Sequence, residues 1–171
     1  MLTNSIALLK DARKHGKCIP AFNIYNLETA QAVFQAAKAA KKPVIAAFGE
    51  GYLQNASLSV IAAIVKTLDN EHPYPVVLHL DHCKDISTLY ATIDAGFTSV
   101  MYDGSRLTLA ENISNTLKAV AYAHERGVSV EGELGCMNAE DGSESSLCAG
   151  ENTYTSVHQA QQYVTQTGID S

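Results

Sequence analysis

Five short apolar runs recur along the 171-residue chain, and each gap between them is long enough to hold one helix. No other feature constrains the fold as tightly. The runs cover residues 18–22, 44–48, 76–80, 98–102 and 128–131. They are rich in β-branched residues and bounded by Gly or Pro, the pattern of strands buried inside a sheet. Amphipathic stretches fill the gaps. Residues 27–41 place Ala30, Val33, Phe34 and Ala37 on one stripe, and a helix opened by Ser57 carries Val60, Ile61, Ile64, Val65 and Leu68. A shorter helix is expected over 85–95, ending at Gly96. The longest is expected over 107–126, with Ile113, Leu117, Val120 and Ala121 facing inward and Gly127 as its stop. Further helices are expected over 5–15 and from Ser156 to about residue 167.

Strands alternating this regularly with helices build parallel βα units with right-handed crossovers. No strand is followed by a GxGxxG or GxxxxGK[ST] loop, so nothing marks an open doubly wound sheet. The expected fold is therefore α/β, a (β/α)8 TIM barrel. A closed barrel needs ~250 residues, so residues 1–171, one domain, would cover about its first five βα units, with 168–171 approaching a sixth strand.

Twelve basic against eighteen acidic residues give a net charge of -6, which argues against a general nucleic-acid or anionic-membrane partner. No apolar stretch approaches a membrane span, and the opening residues show no signal peptide. Four cysteines without CxxC spacing read as reduced thiols of a cytoplasmic protein.

Barrel chemistry gathers at the carboxyl ends of the strands. The first run ends in Asn23, the third in Asp81-His82, the fourth in Asp103-Gly104-Ser105 and the fifth in Glu131-Gly132-Glu133; the second ends in Gly49-Glu50-Gly51, with no role assigned. In a strand His79 and Asp81 share a face, while His82 turns over or leaves for the loop. An imidazole there suits Zn²⁺, and the adjacent carboxylate suits acid/base work. Alternatively, Asp81 caps the following helix. Glu131 and Glu133 point the same way, which calls for a cation, a raised pKa or a basic partner. Asp103 and Ser105 either receive an anionic substrate or cap a helix. Cys83 reads as buried filler.

These residues resemble a known family. Ile19-Pro20-Ala21-Phe22-Asn23-Ile24 with Asn26-Leu27-Glu28-Thr29, then His79-Leu80-Asp81-His82, Ser99 to Ser105, Val130 to Gly135 and Thr167 to Ser171 match, in order, the motifs of the class II zinc-dependent ketose-bisphosphate aldolases. The Asn-Leu-Glu-Thr opening is nearer the tagatose-bisphosphate enzymes than the fructose ones. The resemblance implies reversible cleavage of a ketose 1,6-bisphosphate to dihydroxyacetone phosphate and glyceraldehyde 3-phosphate. It implies a Zn²⁺ cofactor acting as Lewis acid on the ketone, allows a monovalent cation as well, and implies a homo-oligomer, dimer or tetramer. By motif, His82 would be a zinc ligand and Asp81 the acid/base at the cleaved bond. Glu133 would be an alternative ligand or partner of the resting site, while Asn23, Asp103 and Ser105 would bind substrate. Glu140 or its neighbour would carry the proton transfer at the enediolate.

The chain departs from the pattern where Cys136 to Gly142 replaces a Gly-Gly-Glu loop, and where Gly49 replaces a serine. The family's other zinc histidines and most of its phosphate-binding residues come after the position of Ser171. One imidazole does not hold Zn²⁺ usefully, so the 171-residue chain alone is expected to show negligible cleavage and to associate. Two other readings are a non-catalytic aldolase-like subunit supporting a partner, and an α/β module that uses Asp103 and Ser105 to bind phosphate.

Overall fold

Side chains able to satisfy the free N–H groups of a first turn mark where four of the helices begin. Asn26 and Thr29 form a reciprocal capping box at the start of α2 (Leu27–Ala40). Ser57 caps α3 (Leu58–Asp69), Asp85 caps α4 (Ile86–Ala95), and Thr108 with Glu111 boxes α5 (Leu109–His124). Each such cap stabilises its helix by about 1 kcal/mol. Left-handed residues at Lys41, Gly96 and Gly168 end α2, α4 and the last helix, α6 (Val157–Thr167). A further helix, α1 (Ile6–Lys14), precedes the first strand. The computed structural model describes residues 2–135 and 155–171, and Glu140 lies outside them.

The strands are β1 (Ala21–Asn23), β2 (Val44–Gly49), β3 (Val76–Cys83), β4 (Ser99–Tyr102) and β5 (Ser129–Gly132). They form one sheet in the order β1-β2-β3-β4-β5, every neighbouring pair parallel. A doubly wound sheet reverses its order at a switch point; this one advances to the same side at each step, as a barrel wall does. Asp170 N–H donates to the Val130 carbonyl and Gly132 N–H to that of Ser171, so the last residues run along the outer edge of β5. No helix among the described residues is long and apolar enough to cross a membrane.

Alternation along the strands separates two environments. Phe48, Leu78, Leu80, Val100 and Val130 are buried in a hydrophobic cluster with the helices, where Phe34, Ile61, Val65, Leu89 and Val120 join them. The opposite faces contribute Ala21, Asn23, Ile45, Ala47, His79, Asp81, Ser99 and Glu131 to a cavity of about 240 Å³.

The structure corrects two sequence expectations. The first run is not buried: all three residues of β1 are exposed, with Phe22 at 50%, because β1 is paired on one edge only. On α5, Leu117 is 44% exposed and Ala121 also faces outward, while Asn112 and Thr116 are buried. Thr116 and the Tyr163 hydroxyl both donate to Asn112 Oδ1, and Thr116 and Tyr163 share a further hydrogen bond, so these polar residues join Ile113 and Val120, inward as expected, on the buried face.

Candidate active site

A bulge in β3 builds the site. Leu80 pairs with Val100, yet Cys83 pairs with Tyr102, so β3 spends one more residue than β4 over the same stretch. His82 absorbs the extra length in the left-handed region, at φ 53°. A side chain that would have alternated across the sheet is thereby re-aimed past the strand end. Asp85, not Asp81, caps α4, and Thr108, not Asp103, caps α5. Asp81 and Asp103 are thus free for other work.

Around His82 three ligand-type atoms lie within 4.8 Å of one another, one each from His82, Asp103 and Glu133. His82 Nδ1–H donates to Asp103 Oδ2 at 3.3 Å, and Glu133 Oε2 stands 3.2 Å from the same nitrogen. Glu133 Oε2 is buried and makes no hydrogen bond. Asp103 is oriented by Ser105, whose hydroxyl and N–H both donate to Oδ1, at 2.6 and 3.2 Å. Ser105 therefore acts on Asp103 rather than standing apart as a separate anion contact.

Electrostatics follow from this packing. Burial pulls the His82 imidazole down, but the hydrogen bond with Asp103 and the charges of Asp81, Glu133 and Asp103 outweigh it and hold the pKa above the ordinary value. Burial pushes Asp103 up, yet the Ser105 and His82 hydrogen bonds bring it below the usual range. Glu133 is raised by burial and by the Asp103 charge. One nitrogen and two oxygen donors, with an orphaned buried carboxylate oxygen among them, fit a divalent zinc-like ion. Beside the expected pair His82 and Glu133, the structure brings in Asp103, just past β4, as a third donor-type group.

Glu131 and Glu133 diverge, contrary to the expectation that they point together. Glu131 lies on β5 and lines the interior cavity with Asp81 and Asn23, whereas Glu133 follows the end of the strand and turns to His82. In the cavity, His79 shares a 2.9 Å hydrogen bond through Nδ1 with Ser99, and its Nε2 stands 3.8 Å from Glu131. Burial, helped by the His82 charge, lowers His79 to about 4 from 6.5. The unfolded chain accepts this proton near 6.5 and the folded chain only near 4, so stability falls as pH drops through that window. Linkage puts the loss at about 2 kcal/mol between about pH 7 and about pH 5. The raised Glu131 and Glu133 contribute with the opposite sign. Urea unfolding of wild type against His79→Gln therefore isolates the effect, and equal pH slopes in the two proteins would exclude it.

Three contributors carry no local sequence signal. Asn112 Nδ2 donates to the Glu133 carbonyl at 2.9 Å, and Tyr163 on α6 bonds Thr116 at 2.7 Å while filling the space beside Gly132. Glu50, in the 3-10 turn Glu50–Tyr52 after β2, accepts hydrogen bonds from the segment that follows His82.

Fold and donor set together point to a class: α/β barrels wound in one direction, with an imidazole and carboxylates gathered at the strand ends. Residues 3–171 match the family model of class-II fructose-bisphosphate aldolase, and the chain belongs to that family. It is 40% identical over 167 residues to a 6-phospho-5-dehydro-2-deoxy-D-gluconate aldolase of Shouchella clausii, covering 96% of this chain and 56% of that protein. A fructose-bisphosphate aldolase of Staphylococcus aureus matches at the same identity and share of this chain, with 57% of its own length covered. The crystal structure of the YdjI aldolase from Escherichia coli K12 superposes with a TM-score of 0.84 at 31% identity, over 99% of this chain and 59% of that one. The chain thus spans little more than half the length of these relatives.

Proposed function

We propose that this chain carries the metal-binding and proton-handling half of a cytoplasmic class II aldolase that reversibly cleaves a ketose 1,6-bisphosphate to dihydroxyacetone phosphate and glyceraldehyde 3-phosphate. Tagatose 1,6-bisphosphate is the favoured substrate and fructose 1,6-bisphosphate the next, on the strength of the Asn26 to Thr29 opening. The observation that carries the reading is the convergence of His82, Asp103 and Glu133 beside Asp81.

His82, Asp103 and Glu133 would hold Zn²⁺. A bound zinc ion supplies Lewis acidity at the substrate ketone. Asp81 stands next to His82, with Oδ1 3.9 Å from Nε2, and lines the interior cavity, where its carboxylate can take and return the proton of the hydroxyl at the cleaved bond. Asn23 lines the same cavity and offers an amide to substrate hydroxyls. Ser105 holds Asp103 in place. The second proton transfer would fall to Glu140 or its neighbour Asp141, as the resemblance implies.

Zn²⁺ titration of the 171-residue chain tests the reading. One ion per chain is expected, lost in Glu133→Ala, while cleavage of either sugar bisphosphate stays negligible because the resemblance places further zinc histidines after Ser171. Absence of metal uptake, or cleavage indifferent to EDTA, would overturn it.

A further inference from the structure

The left-handed backbone at His82 needs a restraint. For a residue with a Cβ that conformation costs roughly 1–2 kcal/mol, and it persists only where its surroundings over-determine it. On the upstream side the β2–β3 ladder runs to Gly49 opposite Asp81. Downstream the ladder to β4 resumes at Cys83, whose carbonyl accepts the Asp103 N–H at 2.8 Å. Beyond it, the donors of three successive residues converge on one carboxylate. Lys84 N–H reaches Glu50 Oε2 at 3.1 Å, Asp85 N–H reaches Oε1 at 3.4 Å, and the Cys83 thiol donates to Oε1 at 3.3 Å. Both oxygens are engaged, and Glu50 enters from the turn directly after Gly49.

We propose that Glu50 is a positioning residue: its carboxylate clamps the backbone after His82 and so keeps the left-handed turn that aims the imidazole at Asp103 and Glu133. The inference rests on the reading of that cluster as a metal site. The hydrogen bonds that Glu50 accepts come from two main-chain N–H groups and the Cys83 thiol, so it acts through the segment that follows His82. Its effect belongs with the outer partners of metal ligands, whose loss typically weakens metal affinity 10–100-fold. The Cys83 thiol, whose hydrogen is directed to Glu50 Oε1, serves as a donor in this clamp and not as a ligand.

The test compares wild type, Glu50→Ala and Glu50→Gln in the full 171-residue chain. Zn²⁺ affinity is measured by competition, the visible spectrum of the Co²⁺ form is recorded, and NMR follows the His82 backbone shifts and the amide exchange of Lys84 and Asp85. Glu50→Ala is expected to bind Zn²⁺ about 10–100-fold more weakly, with an altered Co²⁺ spectrum, shifted His82 signals and faster exchange at Lys84 and Asp85. Glu50→Gln keeps one carbonyl acceptor and should fall between the two. Wild-type affinity and an unchanged Co²⁺ spectrum in Glu50→Ala, with the two amides deprotected, would make Glu50 a loop tie only and overturn the proposal. Should wild type bind no metal, the metal-site reading fails on its own account. The His82 shifts then decide on Glu50: unchanged in Glu50→Ala they overturn the clamp, displaced they support it. Should Glu50→Ala not fold, Glu50→Gln carries the same comparisons.

Discussion

Substituting His82 by glycine and by alanine is expected to abolish metal uptake in both variants, yet to leave the glycine protein the more stable by about 1 kcal/mol. The sign is what makes the pair informative. Inside a strand glycine costs about 0.5–1 kcal/mol relative to alanine, because it gives up more chain freedom on folding. At φ 53° the balance inverts, since alanine keeps the Cβ that crowds the left-handed backbone. Both variants lack the imidazole, so the broken hydrogen bond to Asp103 cancels in the comparison. The affinity loss should exceed the 10–100-fold typical of an outer partner, because a donor itself is removed. Urea unfolding and Zn²⁺ titration read the two effects separately. Alanine equal to or better than glycine would mean that the turn is not left-handed in solution.

The largest expected loss of stability is at Tyr163. Its ring is buried, its hydroxyl bonds Thr116 at 2.7 Å and Asn112 at 3.3 Å, and its atoms crowd the position where Gly132 would carry a Cβ. Tyr163→Ala empties that space and should cost about 3–5 kcal/mol, the range for truncating a buried aromatic ring. Gly132→Ala overfills it from the other side and should cost about 1–3 kcal/mol. The ring cannot swing away cheaply, held as it is by two hydrogen bonds. In the double variant the new methyl group enters the emptied space, so the combined cost should fall well below the sum. Strict additivity in denaturant melts would show that the two residues do not meet. Because Asn112 also holds the Glu133 carbonyl, Tyr163→Ala should weaken Zn²⁺ binding as well.

The period of the apolar runs made the sheet and its helices legible, because a strand covered on one face by helices must repeat that way whatever its neighbours are. His82 and Asp81 were legible from their place at a strand end. The bulge that aims His82 was not, since His79-Leu80-Asp81-His82 contains no glycine to announce a left-handed residue. Glu131 and Glu133 looked alike until the end of β5 fell between them. On α5 hydrophobicity pointed to Leu117 as an inward residue, whereas the burial of Thr116 depends on a tyrosine 47 positions away. Glu50 was invisible for a similar reason. Its three partners lie more than thirty positions downstream, and a carboxylate serving main-chain donors leaves no pattern of its own.

The consecutive strand order also shapes how the chain opens. The donors near His82 come from just past β4 and just past β5, and Asp103 follows His82 by only 21 residues. Closing a loop of that length costs less chain entropy than joining groups from the two ends of the chain. Consecutive strand neighbours therefore bring these groups together. Opening of β1, the strand paired on one edge alone, then belongs to a separate and cheaper fluctuation. Native-state amide exchange should find Ala21–Asn23 opening freely while the amides of β3 and β4 stay closed.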